Sequence, residues 1–185
     1  MKVLGISGSL RRDSHNAKLL RAAGALLPPG AELELWEGLK AVPPYDADDD
    51  TGAPRAWILQ SLDAAIREAD VVLFATPEYN HSIPGQLKNA LDWLSRPLVA
   101  SPLRNKPVAV VGASSGLFGA VWAQAELRKV LGAIGARVVD RELPVGLAAE
   151  AFTDAGRLAD PDVELALADL LAELQGEVEA MTAAA

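Results

Sequence analysis

The strongest constraint on this 185-residue chain is a fivefold alternation of short apolar runs with longer amphipathic stretches. The runs at residues 3–6, 71–74 and 108–111 are rich in β-branched residues and bounded by turn formers. Each reads as a strand buried on both faces. Glu32-Leu33-Glu34-Leu35 alternates polar and apolar with period two, and Arg137-Val138-Val139-Asp140 is short with charged ends, so both read as edge strands. Between the strands lie helical patterns. The first places Leu19, Leu20, Ala23, Leu26 and Leu27 on one face and stops at Pro28-Pro29-Gly30. A second covers residues 54 to about 68. A third starts near Pro84, which suits a first helical turn, and continues to Leu94. The fourth spans about residues 120–131 with Val121, Gln124, Leu127 and Leu131 in one row, and the last repeats at Val163, Leu167, Leu170, Leu171, Leu174 and Val178.

Strict alternation with short loops predicts a parallel sheet with helices on both faces. With the first, third and fourth strands central and the second and fifth outer, the simplest order with right-handed crossovers is 2-1-3-4-5. The expected fold is therefore α/β: a flavodoxin-like three-layer sandwich around a five-stranded parallel sheet, built as one domain over residues 1–185. Ligands of such sheets sit beyond the carboxyl ends of the strands, at the switch point between strands 1 and 3. The loops after strands 1, 3 and 4 are therefore the ones to read for chemistry.

The first of these loops, residues 7–16, reads SGSLRRDSHN and enters a helix. A helix N-terminus offers unpaired amides and partial positive charge that favour a phosphate. Ser9, Ser14 and Asn16 add short donors and Arg11 a forked charged one. A capped helix under a solvated loop would use the same residue types. No G-x-x-x-x-G-K-[ST] is present, and Gly5 and Gly8 do not complete G-x-G-x-x-G, so a monophosphate suits the loop better than a pyrophosphate. The second loop, Thr76-Pro77-Glu78-Tyr79-Asn80-His81-Ser82-Ile83-Pro84-Gly85, is stiffened by prolines, and its backbone could meet the polar edge of a planar ring with Tyr79 nearby. Glu78 and His81 invite an acid–base reading but also suit a plain surface. The third, residues 112–119 (GASSGLFG), is small enough for close backbone approach to a flat ligand, as a tight turn would also be.

Composition removes other classes. The chain has no cysteine, so any redox function must rest on a bound cofactor. Only His15 and His81 could serve as imidazole ligands, 66 positions apart, so a metal enzyme is not expected. The apolar run at residues 3–6 is too short for a signal-peptide core and no later stretch approaches a membrane span, which makes a cytoplasmic location the default expectation. The net charge of −8 is uneven: seven of the 25 acids and none of the 17 bases fall from Asp160 onward, so the remainder is close to neutral. No basic footprint for nucleic acid appears.

Taken together, GSLRRDSHN, TPEYNHSIPGQLKNALDWLSRP and GASSGLFGAVWAQAELRKVLGAIGARVV resemble the NADPH-dependent FMN reductase family, which includes bacterial quinone, chromate and azo reductases. The resemblance implies FMN as cofactor, with Ser9, Arg11, Ser14 and Asn16 on its phosphate. Pro77, Glu78, Tyr79 and Asn80 would border the isoalloxazine, chiefly through backbone atoms, and Ser114, Ser115 and Gly116 would flank the ring and ribityl chain. It further implies NADPH or NADH as donor, a ping-pong mechanism, and small acceptors such as quinones, chromate, azo compounds or free flavin. No catalytic acid, base or nucleophile is needed, because the cofactor carries the chemistry. Family members assemble as homodimers or homotetramers with the flavin near the interface, which makes the helix carrying Leu87, Ala90, Leu91 and Trp93 the expected interface element. Two departures stand out. Asp13 replaces a common Gly and sets a carboxylate beside the phosphate loop unless Arg12 pairs with it, and Trp122 stands where an Arg is common. An electron carrier with FMN but no NAD(P)H oxidation, and a binding module with no flavin, remain as rival readings. Steady-state NADPH consumption with a quinone separates the first rival, and colourless protein indifferent to FMN would mark the second.

Overall fold

A computed structural model describes residues 1–50 and 55–183. Four strands, β1 (Lys2–Ser7), β2 (Glu32–Trp36), β3 (Val71–Thr76) and β4 (Pro107–Ala113), alternate with helices α1 (His15–Ala25), α2 (Trp57–Glu68), α3 (Gly85–Leu94) and α4 (Val121–Ile134). The chain then adds β5 (Arg137–Val138), β6 (Pro144–Val145) and the long helix α5 (Pro161–Ala183). The pairing is parallel throughout, in the order β2-β1-β3-β4-β5. This is the flavodoxin-like arrangement that the alternation predicts.

The pleat sends side chains to two separate cores. Leu4, Ile6, Val72, Phe74, Val108 and Val110 face α2, α3 and α4, while Val3, Val71, Leu73, Ala75, Ala109 and Val111 face α1 and α5. Both faces of β3 and β4 are buried, which explains why those strands read as unbroken apolar runs rather than alternating ones. Burying one such Leu or Ile side chain stabilises by about 1.5–3 kcal/mol.

The structure corrects the expected end of the sheet. Instead of one edge strand over residues 137–140, β5 keeps two residues and pairs only with Pro107 and Val108. The chain leaves the sheet and rejoins it as β6, a sixth strand opposite Gly112 and Ala113. β4 is seven residues long, so its carboxyl end needs a second partner. A two-residue strand opened by Pro144 carries no period-two signal, and proline is tolerated at such a first position.

The interface expectation for α3 also fails on burial. Leu87, Ala90, Leu91 and Trp93 lie inside the first core, and the Trp93 indole N–H donates to the Pro43 carbonyl at 3.0 Å. The polar residues of α3 are engaged within the chain as well: Gln86 donates to the Leu39 and Val42 carbonyls, Asn89 donates to the Pro43 carbonyl and accepts from the Tyr45 amide, and Lys88 pairs with Asp92. Pro84 precedes the first helical residue by one position rather than sitting within the turn. The expected start of α2 at Pro54 lies outside the described residues.

Candidate functional site

The loops after β1, β3 and β4 meet at the carboxyl edge of the sheet around a cavity of about 150 Å³. Its walls carry Ser9, Arg11, Ser14 and Asn16 from the first loop, Pro77, Glu78 and Tyr79 from the second, and Ser114 and Ser115 from the third. Asn80 and Gly116 lie outside this wall, and His15 and Ala113, which the sequence did not assign to the site, complete it. The space is well below the roughly 300–1,000 Å³ of a whole small-molecule site. It suits the phosphate end of a larger ligand whose flat part spreads over the exposed loop tips.

Short serine contacts curl the first loop. The Ser9 amide donates to Ser7 Oγ at 3.3 Å, and the Arg11 amide donates to Ser9 Oγ at 3.4 Å. Ser14 caps α1 in extended geometry, with its Oγ accepting from the Ala17 amide at 3.2 Å. Its hydroxyl hydrogen remains available to a ligand. Among the described residues, no acceptor meets the first-turn amides of His15 and Asn16, and the buried His15 Nδ1 is without a partner. Among the described residues the Arg11 guanidinium makes no ion pair, and Asp13 pairs with Lys18 at 2.8 Å rather than with Arg12. The Lys18 hydrogen bond and charge hold the Asp13 carboxyl below its usual range. The carboxylate that threatened the phosphate loop is thus drawn into a pair with a base on α1. Gly8 brings the first loop close against the end of β3 and the second loop: its amide donates to the Ala75 carbonyl at 2.8 Å, and a Cβ there would stand 3.0 Å from Leu87 Cδ2 of α3 and 3.4 Å from Pro77 Cδ.

Asn16 is 2% exposed and holds the backbone of Ala113 from both sides, with Nδ2 donating to the carbonyl at 2.9 Å and Oδ1 accepting from the amide at 3.0 Å. This clamp ties the start of α1 to the tip of β4. One amide hydrogen stays free for a ligand.

The second loop ends in a tight turn. Tyr79 and Ser82 exchange backbone hydrogen bonds at 3.0 and 3.1 Å, with Asn80 at φ 54° and His81 at φ 60°. Two consecutive positive φ values make a type I′ turn, the hairpin turn for which Asn is suited. The turn carries Asn80 away from the cavity. Tyr79 is 50% exposed at its rim.

Glu78 is neither a free acid nor a surface residue. Its Oε2 accepts from the Trp122 and Ala123 amides at 3.1 Å each, across to the start of α4. The residue that would normally cap α4, Ala120, sits at φ 60° and has no side chain to do so. Glu78 supplies the missing acceptor and a negative charge at the positive helix end. Glu78→Ala is expected to cost about 1–2 kcal/mol, near the upper range for a lost cap. That lowers the melting temperature by about 2–8 °C, with Glu78→Gln losing less than half as much. A Glu78→Ala variant that melts with the wild type would remove this role.

The third loop is held by elements invisible in the sequence. The Ser114 amide donates to the Val145 carbonyl at 3.0 Å, and the Leu147 amide to the Gly116 carbonyl at 3.0 Å. Gln124 is fully buried. Its Nε2 donates to the Gly119 carbonyl at 2.9 Å, and its Oε1 accepts from the Leu143 amide at 3.0 Å. Gly119 runs at φ 55°, and a Cβ there would fall 2.4 Å from backbone atoms of Pro144 and Val145. Beyond the loop an exposed aromatic ridge forms, with Trp122 edge-on to His81 (4.8 Å between ring centroids) and to Phe118 (5.1 Å).

Comparison with known proteins agrees with this geometry. The family model for NADPH-dependent FMN reductases matches residues 1–150. An NAD(P)H-dependent FMN reductase of Pseudomonas aeruginosa is 42% identical, with 95% of this chain and 94% of the relative covered. A quinone reductase of Escherichia coli K12 is 38% identical over 76% of this chain and 74% of its own length. Among solved structures, the flavoenzyme NAD(P)H:(acceptor) oxidoreductase FerB of Paracoccus denitrificans superimposes with a TM-score of 0.83 at 34% identity, covering 96% of this chain and 97% of FerB.

Proposed function

This chain belongs to the NADPH-dependent FMN reductase family, and we propose that it acts as an FMN-dependent NAD(P)H oxidoreductase that hands electrons to small acceptors such as quinones. The observation that carries the reading is the first-loop cradle: unpaired helix amides, the Ser9 and Ser14 hydroxyls and the unpaired Arg11 guanidinium around one small cavity. Those donors fit a single phosphoryl group. When bound, the flavin supplies the two-electron chemistry. The chain supplies position and charge.

In this reading Arg11, Ser9 and Ser14 hold the phosphate, with Asn16 chiefly fixing the cradle. Pro77, Glu78 and Tyr79 border the ring through their backbone, while Ser114, Ser115 and Gly116 offer a small-residue floor for the ribityl chain and ring. Asn80 shapes the turn rather than the wall. With one open side, donor and acceptor take turns over the same surface, which gives ping-pong kinetics. The electron-carrier reading is not favoured, because the relatives matched along most of the chain are named for NAD(P)H-dependent reduction.

The whole activity is assigned to one domain over residues 1–185. No described helix is long and apolar enough to cross a membrane. A cytoplasmic location is supported by the donor, a soluble reductant of that compartment. A homodimer or homotetramer is proposed with the ridge of Leu117, Phe118 and Trp122, which are 74%, 64% and 43% exposed, as its contact surface in place of α3. Sedimentation velocity returning a monomer mass would remove that assignment. The decisive measurement for the activity is the visible spectrum of FMN-loaded protein under anaerobic NADPH and then a quinone. Bleaching followed by recovery is expected, and an unchanged spectrum would overturn the reading.

A further inference from the structure

Most bases of this acidic chain are neutralised. Lys2, Lys18, Arg55, Arg67, Lys88, Arg128, Lys129, Arg137, Arg141 and Arg157 all reach a carboxylate in the described structure. Among the described residues seven bases have no such partner, and four of them (Arg11, Arg12, Arg21 and Lys40) line one cleft of about 280 Å³. Glu37 is the single carboxylate on its walls, against four cations. In a chain of net charge −8, where acids are plentiful, this leaves a local surplus of positive charge that no ion pair among the described residues neutralises.

The cleft lies over the carboxyl tips of β1 and β2, between α1 and the 3-10 turn Leu39–Ala41 that follows β2. Ser9 and Arg11 form part of both this cleft and the phosphate cavity, so the two spaces adjoin at the first loop. Arg21 sits two turns along α1 from its Ser14 cap, roughly 10 Å down the helix at 1.5 Å per residue. Arg12, Arg21 and Lys40 therefore add positive charge beyond the phosphate cradle, whose walls do not include them. The cleft is also lined by the apolar side chains of Leu10, Leu35, Trp36 and Leu39. A volume of 280 Å³ accepts one end of a ligand rather than a whole dinucleotide. A ligand with several separated phosphates, a flat base for the apolar side chains, and a remainder that crosses the first loop toward the flavin has the chemistry of the phosphorylated dinucleotide donor.

We propose that this cleft binds the adenosine 2′-phosphate end of NADPH, with Arg21 and Lys40 on the 2′-phosphate, and that it makes the enzyme select NADPH over NADH. The assignment rests on the oxidoreductase reading above. Glu37, which directly follows β2, stands where open α/β sheets place a ribose-binding acid. Here Arg21 and Lys40 line the same cleft and offset its repulsion of a phosphate. Arg12 is free for the cleft because Asp13 is paired with Lys18.

The test compares wild type with a double variant, Arg21→Ser with Lys40→Ser, both FMN-loaded, using 1,4-benzoquinone as acceptor. The ratio of kcat/KM for NADPH to that for NADH should fall at least tenfold, through KM for NADPH, while the flavin spectrum and FMN affinity stay as in wild type. Calorimetric titration with adenosine 2′,5′-bisphosphate should show binding to wild type at least tenfold tighter than 5′-AMP, with that advantage lost in the double variant. A donor ratio within twofold of wild type, or equal binding of the two nucleotides, overturns the proposal. If neither donor bleaches the flavin, the oxidoreductase reading fails instead, and the titration alone decides whether the cleft recognises a 2′-phosphate.

Discussion

FMN binding to Arg11→Ala is expected to weaken by about 10- to 100-fold, the loss of one charge-assisted hydrogen-bond set worth about 1.5–3 kcal/mol. Arg11 lines the phosphate cavity and makes no ion pair among the described residues, so its truncation removes attraction for the ligand without stranding a partner inside the protein. Fold stability should therefore change little, by less than about 0.5 kcal/mol, as for other exposed substitutions. Turnover with NADPH and a quinone at low FMN should fall and be restored by excess FMN. Arg11→Lys should recover only part of the affinity, because an ammonium keeps the charge but loses the forked geometry. Fluorescence titration of FMN into the apo variant reads the effect directly. Undiminished affinity would detach the first loop from the phosphate and with it the whole placement of the flavin.

The second large effect is expected at Asn16. Asn16→Leu keeps the side-chain branching but leaves the buried amide and carbonyl of Ala113 with no partner for the bonds of 3.0 and 2.9 Å that they now make. Each unsatisfied group costs about 1–3 kcal/mol, so the variant should lose about 2–5 kcal/mol. That corresponds to a drop of roughly 5–15 °C in melting temperature for a domain of this size. Apo protein should show the full loss, because the clamp exists without any ligand. Added FMN should recover part of it by mass action, and less than in wild type if the displaced helix start binds the phosphate poorly. An apo variant that melts like wild type while FMN affinity collapses would make Asn16 a plain ligand and not a clamp.

The two experiments separate holding the cofactor from holding the cradle, a distinction residue types alone do not draw. Ser14 and Asn16 look alike in sequence as short polar groups near a helix start. In the structure Ser14 caps its own helix three residues on, and Asn16 reaches a strand 97 positions away. Glu78 shows the same gap: beside His81 it suggests proton transfer, yet its carboxylate closes the end of a helix 44 positions later. Trp93 resembled an interface residue because an aromatic on an amphipathic helix fits either side, and only the packing against Tyr45, with ring centroids 4.9 Å apart, assigns it to the core.

What the sequence determined by itself was everything that depends on local pattern. Doubly buried strands had to be continuous apolar runs, helices had to repeat at their own period, and strict alternation left one economical sheet order, which brought three particular loops to one edge. Tertiary structure decided the rest. Pairing between Asn16 and Ala113, between Glu78 and the α4 amides, and between Gln124 and residues 119 and 143 depends on distances across the fold that no periodicity encodes. The two-residue strands β5 and β6 are too short to carry a period at all. The cationic cleft belongs to this class as well: Arg11, Arg12, Arg21 and Lys40 are scattered over 30 positions of the chain, and their convergence becomes visible only when folding brings these four to one cleft.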